Sequence, residues 1–541
     1  MITPEDRARR PAPLLALAAG LFLPLALAAG LSAVGAGTIE RKGIEAHVGF
    51  LAAPGMEGRD TPSEGLRRAA RYVAGRFAEF GLEPAPDSVA LLTELGREEG
   101  YEDAEGEVVP SFLRPFRLRH ETPAGESCSL MLIDGGEQRA FDCGSDYVPL
   151  SSCEGSARGE LVFAGFGIRS SHEKYDDLKG LRLKGAVALI FDGEPRHKKK
   201  FDGEETTEAA SLWSKLEDLA GEGVAGVLVA RRAPEGSEDE ENRLDFRHSF
   251  ARFPGENEPR LPQSRPPVLE IAMECASELL GTDAVELAGK MDRSGRPTKV
   301  KLKGREISMD SRTTRRDVRV DNVVGVIRGS DEALCGEYVL LGAHYDHIGV
   351  DPRGRVGCGA DDNASGTAGM LAVVEALAAD PPRRSILACA FAGEEDGLLG
   401  SREIAQRLPV ERGKVVAMIN LDMLGFGDAD EVAVLGTKQN PELEQLLTRA
   451  KRLSKTGVRE VVTGKGEDLF QRSDHYSFHQ IGLPVLFFFE GLPISRNKDY
   501  HTWRDRLEGL DTEKITRSAR LVYNTVWLLA TDDERPPPPR E

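Results

Sequence analysis

The stretch Tyr338–Met370 reads YVLLGAHYDHIGVDPRGRVGCGADDNASGTAGM, and the fold follows from it. The apolar run Tyr338 to Leu341 predicts a buried strand of a parallel sheet, ending in Gly342-Ala343 just before His344, Asp346 and His347. Polar residues therefore stand where a strand emerges, which is where open α/β sheets place their sites. A Gly-rich loop follows with the adjacent acids Asp361 and Asp362, and Asn363-Ala364-Ser365-Gly366 opens a small-residue helix predicted to run to about Ala379. Like charges side by side at a helix start are costly unless a cation lies between them. Carboxylate and neutral imidazole are both good zinc ligands, so a metal is the expected partner.

From Arg319 onward, strands and helices alternate as a βαβ system requires. Ser385 to Ala392 predicts a buried strand running into Gly393-Glu394-Glu395, and Val415 to Leu421 a strand ending at Asp422. A helix is expected from Gly400 to Leu408, and another from Pro441 to Leu453 with Asn440 as N-cap. Val485 to Phe489 is a further strand, and Thr512 to Ala530 a closing amphipathic helix. The Pro536 to Pro539 tail is expected to be disordered.

Upstream, Ile44 to Leu51 begins the fold, Met56-Glu57-Gly58-Arg59 forms a loop, and Glu64 to Phe80 carries apolar residues at helical spacing with Gly81 as a stop. From about Pro110 to Leu302 the texture changes to short β-rich runs. Strands are expected at Glu160 to Ile168, Ala186 to Ile190 and Gly226 to Ala230, with a turn at Tyr175 to Gly180 and a helix from Thr207 to Leu219. The acidic block Glu235 to Glu241, Asp192, Asp202 and the basic run His197 to Lys200 are expected in exposed loops.

A chain of 541 residues is too long for one ordinary core and implies two folded units plus tails. Its net charge of -19 argues against nucleic acid as a partner, because a phosphate-binding surface needs excess Lys and Arg. Arg7, Arg9 and Arg10 precede an uncharged Ala/Leu-rich stretch from Pro11 to Gly37, the pattern of a secretory signal or a single membrane anchor, with Ala26-Leu27-Ala28 as a cleavage candidate. Export is the expectation. Seven cysteines without a CxxC do not make a disulfide framework, although Cys128, Cys143 and Cys153 are close enough in sequence to contain a bridge.

Polar clusters follow or interrupt the apolar runs: His344 with Asp346, Asp361-Asp362, Glu394-Glu395, Asp422, and later Tyr500-His501-Thr502-Trp503-Arg504-Asp505. Charge arithmetic supports two metals. If Asp361 bridges two zinc ions, with Asp422 and His344 on one and Glu395 and His501 on the other, three carboxylates and a hydroxide balance two dications. Glu394 then stays uncoordinated as a general base.

These residues carry a resemblance. HYDH, GADDNASG, FAGEEDGLLGS, NLDM, RSDHYSFHQIGLP and YHTWRD, in this order and spacing, resemble the M28 family of co-catalytic zinc peptidases, which includes secreted bacterial aminopeptidases. The match covers about Asn322 to Asp511. The middle unit resembles the protease-associated (PA) domain, on Gly165-Phe166-Gly167-Ile168, the Tyr175-Asp176-Asp177 turn and its apolar strands. Leu51 to Leu82 resembles the helical lead-in that precedes such an insert. The resemblance implies a three-layer α/β/α peptidase domain around a central mixed, mostly parallel sheet, with a β-rich insert. The divisions expected are 1–37 signal or anchor, 38–109 N-terminal peptidase part, 110–302 PA-like insert, 303–532 catalytic part and 533–541 tail.

The resemblance also implies the ligand set His344, Asp361, Glu395, Asp422 and His501 for two Zn2+, Glu394 as proton shuttle, and Asp346 as the acceptor that fixes the His344 imidazole. It implies a cis peptide between Asp361 and Asp362, and Tyr500 as a stabiliser of the oxyanion. Tyr476 and Phe478 are expected to line the substrate pocket. Ser473-Asp474-His475 contains the residue types of a nucleophilic triad, but adjacent residues do not converge as a triad must. The expected function is an exported aminopeptidase acting on peptides or proteins through a zinc-bound hydroxide. A carboxypeptidase or dipeptidase on the same scaffold, and a non-catalytic binding scaffold, are the alternatives.

Overall fold

The computed structural model of the chain describes residues 35–94, 111–150, 153–197, 199–201, 207–232, 250–254, 266–351, 354–453, 456–466 and 469–540. The strands Tyr338–His344, Ser385–Phe391, Val415–Leu421 and Val485–Phe489 are almost wholly buried. Such unbroken apolar runs need a sheet covered on both faces. Successive residues divide between those faces. Val339, Leu341 and Ala343 join the core beneath the helices Gly366–Ala379 and Thr512–Thr531, whereas Leu340 joins Phe478 and Phe487 on the other side. The result is a three-layer α/β/α unit.

Its ten-stranded sheet is mixed. Tyr338–His344 lies between Ser385–Phe391 and Val415–Leu421, both parallel to it, and Val415–Leu421 pairs in parallel with Val485–Phe489. These four central strands pair in parallel throughout. On one flank the long strand Thr313–Ile327 runs antiparallel to Ser385–Phe391 and to Leu113–Pro123, which in turn pairs with Phe250–Arg252. On the other flank Glu431–Leu435 runs antiparallel to Val485–Phe489 and ends the sheet with Glu460–Val462.

The lead-in helices Arg41–Leu51 and Glu64–Glu79 pack on the Gly366–Ala379 side. The second is capped where the Ser63 hydroxyl accepts the Leu66 amide at 3.0 Å, and it buries Leu66, Ala69, Ala70, Val73 and Phe77. Two local expectations change. Asn440 does not cap the helix Pro441–Leu453 with its side chain, which instead donates back to Gly436 O at 2.8 Å. The proline-rich tail, expected to be disordered, is pinned: Arg535 donates to Val415 O at 3.0 Å and the Arg540 amide to Gln439 O at 2.8 Å.

A second, eight-stranded sheet has its own core. Its order is Glu137–Ala140, Ser129–Asp134, Arg305–Ser311, Gly155–Phe163, Val187–Phe191, Gly226–Ala230, Val268–Ile271 and Tyr147–Pro149. The division therefore falls inside the expected 110–302 boundaries at one end and beyond them at the other. Leu113–Pro123 and Phe250–Arg252 belong to the first sheet, while Arg305–Ser311 belongs to the second. The strand expected to reach Ile168 stops at Phe163, because the chain turns through Gly165 and Gly167, both at positive φ. The Asp177 carboxylate holds that turn by accepting the Phe166 amide at 2.8 Å. The expected helix begins later, at Leu212. Asp192 is ion-paired with Arg231 at 2.5 Å rather than free in a loop.

None of the seven cysteines forms a disulfide, so no bridge joins Cys128, Cys143 or Cys153. The signal or anchor candidate falls almost wholly on residues outside those described, as do Glu235 to Glu241 and Asp202. Among the described residues no helix is long and apolar enough to cross a membrane.

Candidate metal centre

The sheet register brings the polar clusters together. His344 closes its strand level with Phe391, three residues before Glu394. Gly342 lies opposite Asn420, which puts His344 level with Asp422. Three neighbouring parallel strands thus deliver an imidazole, a pair of glutamates and an aspartate to one edge.

Two groups result, His344 with Glu394 and Asp422, and His347 with Asp362 and Glu395. In the first, His344 Nε2 stands 3.2 Å from Asp422 Oδ1 and 3.9 Å from Glu394 Oε2. Beside the second, His501 Nε2 is 3.0 Å from Asp362 Oδ2 and 3.1 Å from Glu395 Oε2. Asp362 faces both groups, since its Oδ1 is 3.4 Å from His344 Nε2. Donor atoms around a tetrahedral zinc ion with bonds near 2.0 Å stand about 3.3 Å apart, so this donor set fits the ion.

The bridging position was expected at Asp361, but the carboxylate that stands between the two groups is that of Asp362. The backbone at Asp362 is extended (φ -101°, ψ 99°), which sends neighbouring side chains to opposite sides. Asp361 turns into the protein, accepting the Gly425 amide at 2.8 Å and the Asn497 side-chain amide at 2.9 Å. The cis peptide shifts with it and joins Asp362 to Asn363, not Asp361 to Asp362. Asp505 fixes the turn, its carboxylate accepting the amides of Asp361 at 2.8 Å and Asp362 at 3.0 Å.

Asp346, fully buried, stands 3.6 Å from His344 Nδ1 and also accepts the amides of Glu394 at 3.2 Å and Glu395 at 3.3 Å. Each flanking carboxylate divides its oxygens. Asp422 gives Oδ1 to His344 and takes the Ser473 hydroxyl on Oδ2 at 2.6 Å. Glu395 gives Oε2 to His501 and pairs Oε1 with His347 Nδ1 at 3.1 Å.

Electrostatics make the crowding plain. Burial and then the Glu395 charge push the Asp362 carboxyl up to about 7, and burial with Asp422 and Glu395 nearby pushes Glu394 well above the ordinary range. Burial opposes charge on His501, yet Glu395 and Asp362 lift it to about 10. His347 is lowered to about 4 by burial and is neutral. Without added cations this many carboxylates hold together only by taking up protons; two dications would relieve the same repulsion.

A pocket opens beside the cluster, lined by Asp362, Glu394, Asp422, Tyr500 and Arg472 and by the apolar side chains Met423, Leu469, Phe487, Phe489 and Ile494. Tyr500 stacks on His501 with ring centroids 3.9 Å apart. Tyr476 and Phe478, expected to line the pocket, do not; Phe478 is buried against Phe391. His475 stacks on Phe487 at 4.6 Å, while Ser473 serves Asp422, so no triad forms. His347, Asp505 and Asn497 were not singled out as site residues from sequence. The repeated His of HYDH was the signal for His347 and the closing Asp of YHTWRD the signal for Asp505; Asn497 lies in no quoted motif.

Residues 322–526 match the sequence model of peptidase family M28. A probable leucine aminopeptidase from Trichophyton verrucosum (strain HKI 0517) is 32% identical over 216 residues, 39% of this chain and 57% of the relative. A probable zinc metalloprotease from Pyrenophora teres f. teres (strain 0-1) is 30% identical over 239 residues, 40% of this chain and 50% of the relative. The chain thus spans about half the length of the curated relatives it matches. Among solved structures, an aminopeptidase from Aneurinibacillus sp. strain AM-1 aligns with a TM-score of 0.58 at 19% identity, covering 92% of this chain and 96% of that one. BSAP, a zinc aminopeptidase from Bacillus subtilis, aligns at 0.57 and 20% identity over 92% and 96%. These likenesses are of fold, and they take in the second sheet as well as the first.

Proposed function

We propose that this chain, which carries a family M28 peptidase region over residues 322–526, is a zinc peptidase that releases N-terminal residues from peptides. The observation that carries this reading is the station of Asp362, whose two oxygens face His344 at 3.4 Å and His501 at 3.0 Å beside an apolar pocket. His344, Asp422 and Asp362 would hold one zinc ion, and Asp362, Glu395 and His501 the other. His347, neutral and donating from Nδ1, orients Glu395.

Zinc bound there supplies a Lewis acid for the scissile carbonyl and lowers the pKa of water. Glu394 takes the proton of the attacking water on its carboxylate and passes it to the nitrogen of the departing amine. Its pKa, raised by burial, suits a group that must accept a proton and then release it. The Tyr500 hydroxyl, at the pocket wall, donates to the carbonyl oxygen as negative charge grows there. Met423, Leu469, Phe487, Phe489 and Ile494 favour an apolar side chain on the released residue.

One observation favours a carboxypeptidase instead: the Arg472 guanidinium in the pocket wall would suit a substrate carboxylate. Digestion of a free peptide and its N-acetylated form separates the readings. The aminopeptidase cleaves only the free peptide and stops when zinc is chelated; cleavage of the blocked peptide from its C-terminus overturns it.

The second sheet, with its own core, supports reading the middle of the chain as a PA-like insert. Export is proposed from Arg7, Arg9, Arg10 and the uncharged run to Gly37. Localising the full chain by cell fractionation tests it.

A further inference from the structure

Arg59 is fully buried, far in sequence from the metal centre, and has no carboxylate in ion-pair contact among the described residues. It sits at the end of the Pro54–Arg59 turn with φ at 51°, between the two lead-in helices. A buried guanidinium is costly and must place its donors well. This one spends them on main-chain carbonyls. Nε donates to Tyr345 O at 2.8 Å, Nη1 to Leu51 O at 2.5 Å and Cys358 O at 2.8 Å, and Nη2 to Gly359 O at 2.8 Å.

Leu51 ends the first lead-in helix, and the other three carbonyls belong to backbone on either side of the site. Tyr345 follows His344, while Cys358 and Gly359 lead into Asp361-Asp362. The turn adds two more ties, with the Arg59 carbonyl accepting the His347 amide at 3.2 Å and the Gly58 carbonyl the Gly349 amide at 3.2 Å. Gly58 is itself required: a Cβ there would lie 2.3 Å from Gly349 O and 2.5 Å from Gly357 O. The carboxylates of Asp505, Asp346 and Asp362 lie close enough to act on the Arg59 charge.

We propose that Arg59 is a positioning residue for the metal centre: its planar fork locks the backbone after His344 to the backbone before Asp362, setting their separation before any cation arrives. A lysine cannot reproduce this, because one ammonium cannot reach divergent carbonyls along a rigid plane. The proposal rests on the metal reading above, but it makes a claim about the metal-free protein that can fail separately.

The experiment is amide hydrogen exchange on the metal-free full chain, with zinc affinity measured by chelator competition, for the unaltered protein, Arg59→Lys and Arg59→Met. In the unaltered protein, residues 345–349 and 358–363 are expected to be protected before zinc is added. Both variants should lose that protection while the helix Thr512–Thr531 keeps its own, and zinc should bind about 10–100-fold more weakly. If Arg59→Met does not fold, Arg59→Lys decides. Free exchange of these segments in the metal-free unaltered protein overturns the proposal, as does unchanged zinc affinity in a folded variant. A protein that is protected there yet binds no zinc contradicts the metal reading and leaves the clamp standing.

Discussion

Asp346 accepts the backbone amide of Glu394 at 3.2 Å. Since the same carboxylate takes the Glu395 amide and stands beside His344 Nδ1, one buried side chain sets an imidazole and both glutamates in mutual register. Asp346→Asn keeps the shape but turns an amide donor toward one of these donors. We expect zinc affinity and kcat/KM each to fall about 10–100-fold with the fold retained. Unchanged values in a peptide-release assay would remove Asp346 from the design.

The adjacent glutamates are predicted to separate cleanly. Glu394→Gln should keep its zinc content while kcat drops about 100- to 10,000-fold, the range ascribed to a lost general base. If zinc leaves along with activity, the roles given to Glu394 and Glu395 are exchanged.

Histidines 347 and 501 both approach Glu395, from its two oxygens. His501→Phe should abolish tight binding of one zinc ion per chain. His347→Phe should retain both ions with about 10-fold weaker binding, because it removes an orienting partner and not a ligand. Equal losses in elemental analysis of the two variants would make His347 a ligand too.

Away from the metal centre, His120 is buried, and burial with the nearby Arg316 charge lowers its pKa to about 4. The unfolded chain, with this group near 6.5, binds more protons than the fold between pH 4 and 6.5, so stability rises with pH in that window and is lost on acidification. The contribution lost between pH 6.5 and 5 is about 2 kcal/mol at most. Thermal unfolding at those pH values should show His120→Leu less acid-sensitive than the unaltered chain; equal sensitivity would mean that His120 is charged in the fold.

The strand ends were legible because a strand buried on both faces leaves an unbroken apolar run, and the polar residue after it must stand at the sheet edge. His344, Glu394, Glu395 and Asp422 were found that way. The choice between Asp361 and Asp362 was not legible. It depends on an extended residue at 362 and on Asp505 holding both amides from 143 residues away, and adjacent identical side chains carry no local signal for it. Arg59 was hidden for the same reason, since its partners lie up to 300 residues distant. The edge of the second sheet was misjudged because Leu113–Pro123 and Thr313–Ile327 pair within the first sheet while the strands adjoining them in sequence, Ser129–Asp134 and Arg305–Ser311, belong to the second, and sequence texture does not reveal which sheet a strand joins.

The sharing of Asp362 between two cations is most directly tested by counting zinc in three purified proteins, the unaltered chain, Asp361→Asn and Asp362→Asn. The account predicts two ions per chain in the first two and loss of tightly bound zinc in the third. Zinc retained by Asp362→Asn and lost from Asp361→Asn would contradict it.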